Sequence, residues 1–325
     1  MATDVSGAES RVARPGSAPP ARHEAARTHS HERSRLVLGA LALMAPALLS
    51  LLAVSLYPVL RSIWLSFRDT TLAAQTDAFT GLENYRNLWS DDQFWNAWQQ
   101  TVWFTVASTL LETLIGLGMA LVLQASFRGR GLVRAVVLIP WAIPTVVTSR
   151  MFGWLFDGQN GVVNYLLVKT HLVDANVNFL GSTTWAMPTI ILADVWKTAP
   201  FMALLLLAGL QTIPSTYTEA GRVDGASPWR IFWNIRLPLL MPTLLIAALL
   251  RALDAFRIFD LPYTLTGGGP ADSTETMSTL AYKRLFSGLE IGYGSTLSTA
   301  MFITEALIAI GFAMVIFRKM RATED

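Results

Sequence analysis

The chain has 325 residues, of which 52% are hydrophobic and only 15% charged, with a mean hydropathy of +0.41. A water-soluble domain carries about a quarter charged residues, so the deficit points to lipid as the main solvent. The absence of cysteine excludes disulfides and thiolate metal sites. The formal charge of +2 decides little until its distribution is read.

Residues 1–35 are rich in Ala, Arg, Ser, Pro, Glu and His and show no apolar period. They predict a disordered tail, because such a segment cannot bury enough surface to offset chain entropy. His23, His29 and His31 fall in it and read as tail composition rather than as a metal site. The uncharged run from Leu36 to Leu60 is longer than the apolar core of a cleaved leader and predicts a retained first span.

Crossing the hydrocarbon core takes about 20 apolar residues, and six segments qualify: 36–60, 98–124, 135–156, 184–210, 237–261 and 292–317. Nothing alternates in the short segments of a membrane β-barrel. The expected fold is therefore all-α, a polytopic integral membrane protein with six transmembrane helices. Between the first two spans, residues 61–97 hold Trp64, Tyr85, Trp89 and Trp95. These suit an interfacial aromatic belt, and the apolar spacing permits a short amphipathic helix there; lipid anchoring and partner contact both fit.

Charged side chains inside spans cost about 2.5–3.5 kcal/mol each on insertion scales and are functional candidates by default. Glu112 interrupts the second span, Arg150 the third and Glu305 the sixth. The two carboxylates read as buried and hydrogen-bonded, and Arg150 as reaching the interface. Asp194 and Lys197 in the fourth span are i, i+3 neighbours that can neutralise each other; they fit a structural bridge or a lining of the path. In the fifth span Arg251, Asp254, Arg257 and Asp260 alternate in sign every third residue. That row spirals by about 60° per step, so adjacent members can pair while part of it must face protein or a water-filled cavity. Phe256, Phe259 and Tyr263 interleave with it, a mixture suited to sugar hydroxyls and ring faces.

Arginine and lysine set orientation. The N-terminal tail, the segments after spans two and four, and the C-terminal tail hold fifteen; the opposite side holds six, and four lie within spans. Both termini are expected in the cytoplasm, in line with an even number of spans.

The connection between spans four and five, Gln211 to Pro238, carries the most information. Ser215 is the expected N-cap of a first short helix, with Gly221 or Gly225 supplying a positive-φ end. Ser227 is the expected cap of a second helix with Pro228 at its first position. Trp229, Phe232 and Trp233 then form one aromatic face, and Pro238 is expected to stop or kink the helix before span five.

The pattern Glu219-Ala220-Gly221, Asp224-Gly225-Ala226, Phe232, Ile235 and Pro238 resembles the EAA motif of binding-protein-dependent ABC importer permeases. Gly221 stands where the family usually has Ala, and still permits close backbone approach. The stretch from Arg251 to Pro270, with Thr274-Glu275-Thr276, Tyr282, Phe286 and Gly292-Tyr293-Gly294, resembles maltose-type carbohydrate permeases, and its wording is similar to actinobacterial trehalose-importer permeases. The resemblance covers most of the chain from residue 36 onward. It implies a type I ABC importer permease fold, with a permease domain over 36–318, the coupling loop at 211–238 and a cytoplasmic C-terminal tail at 319–325. It further implies a bacterial plasma or inner membrane location, a second homologous permease subunit, two cytoplasmic nucleotide-binding ATPase subunits and an extracytoplasmic solute-binding protein. ATP and Mg would be used by the ATPase partner, with no cofactor bound directly here and no nucleic acid involved.

Gly267-Gly268-Gly269-Pro270 is the one glycine cluster, and no Lys-Ser or Lys-Thr follows it, so it is not a phosphate-binding loop. A tight turn on the outer side is expected instead. An autonomous ion-coupled secondary transporter is the other class considered. Its usual mark, inverted repeats with unwound mid-membrane helices, is not found. Neither a His-rich ligand set nor a Ser/His/Asp grouping supports a membrane enzyme.

Overall fold

The computed structural model describes residue 39 and residues 43–324, with side chains to Lys319. The tail at 1–35, with its expected disorder and three histidines, lies outside the described residues. The chain divides into two compact units, Met1–Leu60 and Arg61–Asp325. The first helix, α1 (Leu43–Leu65), has a π-type stretch at Leu52–Leu56.

Among the described residues five helices are long and apolar enough to cross a membrane. They are α1, α3 (Asp92–Gln124), α7 (Ala186–Thr212), α9 (Pro228–Phe256) and α12, which is apolar over Ile291–Lys319 and helical to Glu324. The expected third span is not one helix. It is a pair, α4 (Arg130–Ala142) and α5 (Thr145–Leu155), bent by 87°. The break has a local cause: Ile143 precedes Pro144 and takes extended backbone, φ −71 and ψ 131, as the proline ring's clash with the preceding residue demands. After the break Thr148 N–H donates to Pro144 O at 3.1 Å and the helix restarts.

The second correction concerns the segment between the first two spans. The short helix is present as α2 (Glu83–Trp89), but it follows an antiparallel hairpin, β1 (Arg68–Thr71) and β2 (Thr76–Phe79). The strands pair Arg68 with Phe79 and Thr71 with Thr76. The hairpin is fixed by Arg68 Nε donating to Asp77 at 2.7 Å and Thr70 Oγ1 at 2.9 Å. Buried Asn84 donates to Ser66 O at 3.0 Å and Arg68 O at 2.9 Å, tying α2 to the strand. Among the described residues the fold is mostly helical, as expected, with this one small hairpin added. Two further short helices, α6 (Val162–Lys169) and α8 (Ser215–Val223), lie in connections. Two more, α10 (Asp260–Leu265) and α11 (Met277–Tyr282), stand between α9 and α12.

The centre of the second unit is the pair α3 and α7. Glu112 meets Thr198 and Gln124 meets Leu210, both at a separation of 86 residues. A constant offset means that the two helices run parallel, so the chain between them must return along their length, and α4 and α5 make that return. In lipid, helices associate through close packing rather than burial from water, and glycine supplies the closeness. A Cβ on Gly116 would stand 2.8 Å from Met202 Cγ, and one on Gly209 2.6 Å from Thr243 Cγ2. The second contact brings α9 against α7. Phe104, Ile190, Ala193 and Ala255 fill one cluster of this core; Ala120, Leu123, Met202, Leu206 and Leu240 fill another.

Candidate functional site

The connection from Gln211 to Pro238 folds as a helix–turn–helix. Its first arm, α8, starts after Pro214, and Ser215 is its first helical residue rather than its cap. The proline's extended ψ of 136 sets that start without a side-chain cap. The arm ends as expected on Gly225, with φ +77. Ala226 N–H donates to Gly221 O at 2.9 Å and Gly225 N–H to Arg222 O at 3.0 Å. These are the two bonds of a Schellman motif, which satisfies the last carbonyls of a helix. Ser227 caps the second arm, its hydroxyl accepting from Arg230 N–H at 3.3 Å, with Pro228 at the first position.

Pro238 neither stops nor separates this arm from the next span. Five residues, Phe232–Arg236, take π-type hydrogen bonding, and α9 continues from Pro228 to Phe256. Widening the ring there is a known way to pass a residue that cannot donate. Trp229, Phe232 and Trp233 form the expected face, with ring centroids 5.3 to 6.3 Å apart. Gly221 is buried between the arms: a Cβ there would stand 2.8 Å from Ile235 Cδ1. Glu219, Ala220, Asp224 and Gly225 are exposed and Ala226 is half-buried. Val223 and Trp229 sit near the tip at 88% and 71% exposure, an apolar tip left uncovered by the described residues.

The second constellation lies at mid-helix. Arg251 of α9 is 6% exposed and joins three helices. Its Nη2 donates to Glu112 Oε1 of α3 at 2.9 Å, its Nε to Glu112 Oε2, and its Nη2 to Asp194 Oδ2 of α7. Thr198 Oγ1 also donates to Glu112 Oε1, at 2.6 Å. The fourth partner, Asp254, accepts from Arg251 Nη1 at 3.0 Å and is 71% exposed. The planar guanidinium suits this work because its donors form a rigid fork.

This geometry corrects several readings of the charges. Asp194 binds Arg251, and no Asp194–Lys197 ion pair occurs among the described residues; Lys197 is half-buried. The row of alternating charges is cut by the end of α9 at Phe256. Arg257 caps that end and pairs with Glu305 at 3.5 Å, not with Asp260, which opens α10. Glu112 and Glu305 are therefore partnered. The network's centre, Glu112, was visible as a charged residue in a span, but its partner stands 139 residues away, beyond the reach of helical spacing. Among the described residues no group of three or more His, Cys, Asp or Glu is placed to hold a metal.

On the hairpin side a polar cleft of about 430 Å³ is lined by Asp69, Asn87, Asp91, Arg284, Glu290 and Tyr293. Arg284 crosses it, donating to Glu290 at 3.2 Å and to Gln93 at 2.8 Å.

Residues 112–322 match the family described as binding-protein-dependent transport system inner membrane component. The chain belongs to this family. It is a multi-pass permease subunit, and in systems of this family the ATPase is a separate subunit. A trehalose/maltose transport system permease protein of Thermococcus litoralis is 41% identical over 281 residues, 86% of this chain and 92% of that one. A sulfoquinovosyl glycerol transport system permease protein of Agrobacterium fabrum is 39% identical over 285 residues, 86% of this chain and 91% of the other. A chain in the crystal structure of a bacterial ABC transporter importing alginate superposes with a TM-score of 0.75 at 22% identity, covering 90% of this chain and 99% of that one. That last likeness shows the type I permease fold alone.

Proposed function

We propose that this permease subunit serves an ATP-driven carbohydrate importer, with a disaccharide such as trehalose as its solute. Its loop at 211–238 is read as the element that docks into a partner ATPase. The observation that carries the coupling is the continuity of α9. One continuous helix runs from Pro228, at the loop's tip, to Arg251, which holds Glu112 and Asp194. At 1.5 Å per residue that is a lever of roughly 35 Å. A push on the loop is delivered to a side chain that joins α3, α7 and α9.

Glu219, Ala220, Gly221, Asp224, Gly225 and Ala226 form the docking element, and the apolar tip with Val223 and Trp229 supports that role. Asp194, Lys197, Arg251, Asp254 and Arg257 are read as the path, with different parts. Arg251 and Asp194 hold the helices together, whereas exposed Asp254 and Arg257 are the members able to meet solute. The arginine and lysine bias supports six spans with both termini in the cytoplasm, the bent α4–α5 pair counting as one. The hairpin and its polar cleft then face outward, where a solute-binding protein delivers cargo. A second permease subunit and two ATPase subunits complete the transporter. The carbohydrate reading leans on the names of the relatives, one a trehalose/maltose permease and the other a sulfoquinovosyl glycerol permease.

The test is uptake of labelled trehalose by the assembled importer in proteoliposomes with ATP inside. Glu219→Ala is expected to abolish uptake while the chain stays inserted. Uptake that persists without any ATPase subunit and collapses with an uncoupler would overturn the reading.

A further inference from the structure

Just beyond the end of α9, four aromatic rings gather from two segments. Phe259 and Tyr263 flank the start of α10, their ring centroids 4.9 Å apart and nearly parallel at 17°. Tyr282, at the end of α11, packs 5.1 Å from each of them. Phe286 extends the group, 4.9 Å from Tyr282. Rings gathered this closely usually close a core, yet none of these four is buried: Tyr263 is 41% exposed and Phe286 66%. The described residues around the group do not close it off.

The group is also held rigidly. The loop between the two segments turns on Gly267 and Gly268, with φ +64 and +92, and is buried at Thr274, Glu275 and Thr276. Thr274 Oγ1 donates to Gly269 O at 2.7 Å, and Thr276 Oγ1 donates to Ile258 O at 3.1 Å. Glu275, 3% exposed, takes an ion pair from Lys283. Thr276 and Thr279 close a capping box on α11. The rings are thus fixed before anything meets them, which is what a recognition surface needs. Polar groups come with them: exposed Asp260 sits between Phe259 and Tyr263 in sequence, Lys283 follows Tyr282, and two ring hydroxyls belong to the group. The Tyr263 hydroxyl beside it holds the Tyr282 phenol above its ordinary pKa.

We infer that Phe259, Tyr263, Tyr282 and Phe286 form a stacking platform for a pyranose ring, passed by the solute at the outer end of the path before it reaches Asp254. The C–H face of a pyranose meets the negative π-face of an aromatic ring, and Asp260 with the tyrosine hydroxyls meets its hydroxyls. The platform rests on the carbohydrate reading above and adds the residues that hold the sugar.

The test uses the complete importer with its binding protein, and labelled trehalose as the probe. Tyr263→Leu, Tyr282→Leu and Phe286→Leu keep apolar bulk and remove the π-face. Each is expected to raise the half-saturating concentration for uptake on the order of 2- to 10-fold, the size of one aromatic contact. Tyr263→Trp and Phe286→Tyr restore the face and are expected to restore uptake. Phe286, the most exposed ring, guards against a folding artefact, and assembly of each complex is checked by size-exclusion chromatography. Leucine variants that transport like the wild type overturn the platform, and so do aromatic replacements as poor as leucine, which would mean packing or lipid anchoring. A wild-type importer that takes up no saccharide sinks the carbohydrate reading itself, a different result from a sugar importer indifferent to its rings.

Discussion

Arg251 is the residue on which most of the second unit converges, and its environment sets what substitution does. Two carboxylates from two other helices share one guanidinium, all three groups being nearly or fully buried. Removing one partner of a buried pair leaves an uncompensated charge and costs about 3–5 kcal/mol, whereas apolar replacement of the whole set is often neutral. Arg251→Ala should therefore lower the thermal midpoint of the purified chain and its yield in the membrane. Arg251→Lys should rescue only in part, since an ammonium cannot span Glu112 and Asp194 with one planar fork. A fluorescence-detected melting series checks both; an Arg251→Ala chain as stable as the wild type would remove the network from the account of the fold. Residue identity was readable here but partnership was not. Spacing within one helix pairs Asp194 with Lys197 and Arg257 with Asp260. The folded chain pairs them instead with Arg251 and Glu305, partners that stand across helix interfaces where spacing within one helix does not reach.

Elements were legible wherever a local rule acts. Gly225 ends α8 with positive φ, and Ser227 and Pro228 begin the next arm, as their chemistry requires. Two of the misreadings at this scale involve proline. Pro238 was expected to stop or kink the helix; it does not stop it, and five π-bonded residues precede it. Pro144, inside an apolar run of spanning length, breaks it with a bend of 87°. Hydropathy sums over such a run and is blind to its backbone. The hairpin was missed because four-residue strands are too short to show alternation against a background of aromatics. The Schellman motif gives the element-scale prediction. Gly225→Val places a β-branched residue at φ +77 and opens the turn, so uptake should fall at least tenfold while membrane insertion holds. Gly225→Asn, which tolerates that conformation, should keep most of the uptake. Equal uptake by both variants in proteoliposomes would show that the turn's geometry does not matter to coupling.

The whole molecule poses a question of direction: which end of α3, α7 and α9 faces the cell interior. Parallel α3 and α7, joined by a bent return, place the loop at 211–238 at one end and the β1–β2 hairpin at the other. That follows because α3 begins beside α2 and ends beside Leu210. Charge counting predicts a direction because arginine is so unevenly spread; it could not reveal the bent pair or the long helix α9. The lack of cysteine turns direction into a clean measurement, since any thiol introduced is the only one in the chain. Two exposed positions suit it, Val223 at the loop's tip and Asp77 on β2. A membrane-impermeant maleimide added to intact cells should label Asp77→Cys and leave Val223→Cys untouched, and permeabilisation should expose the second. Asp77 pairs with Arg68 in the hairpin, so Ala74→Cys in the turn between the strands serves as a second outward position that leaves that pair alone. Labelling of Val223→Cys from outside, with both hairpin positions protected, would invert the topology. The loop would then lie out of reach of any cytoplasmic ATPase, and the coupling proposal would fall with the orientation.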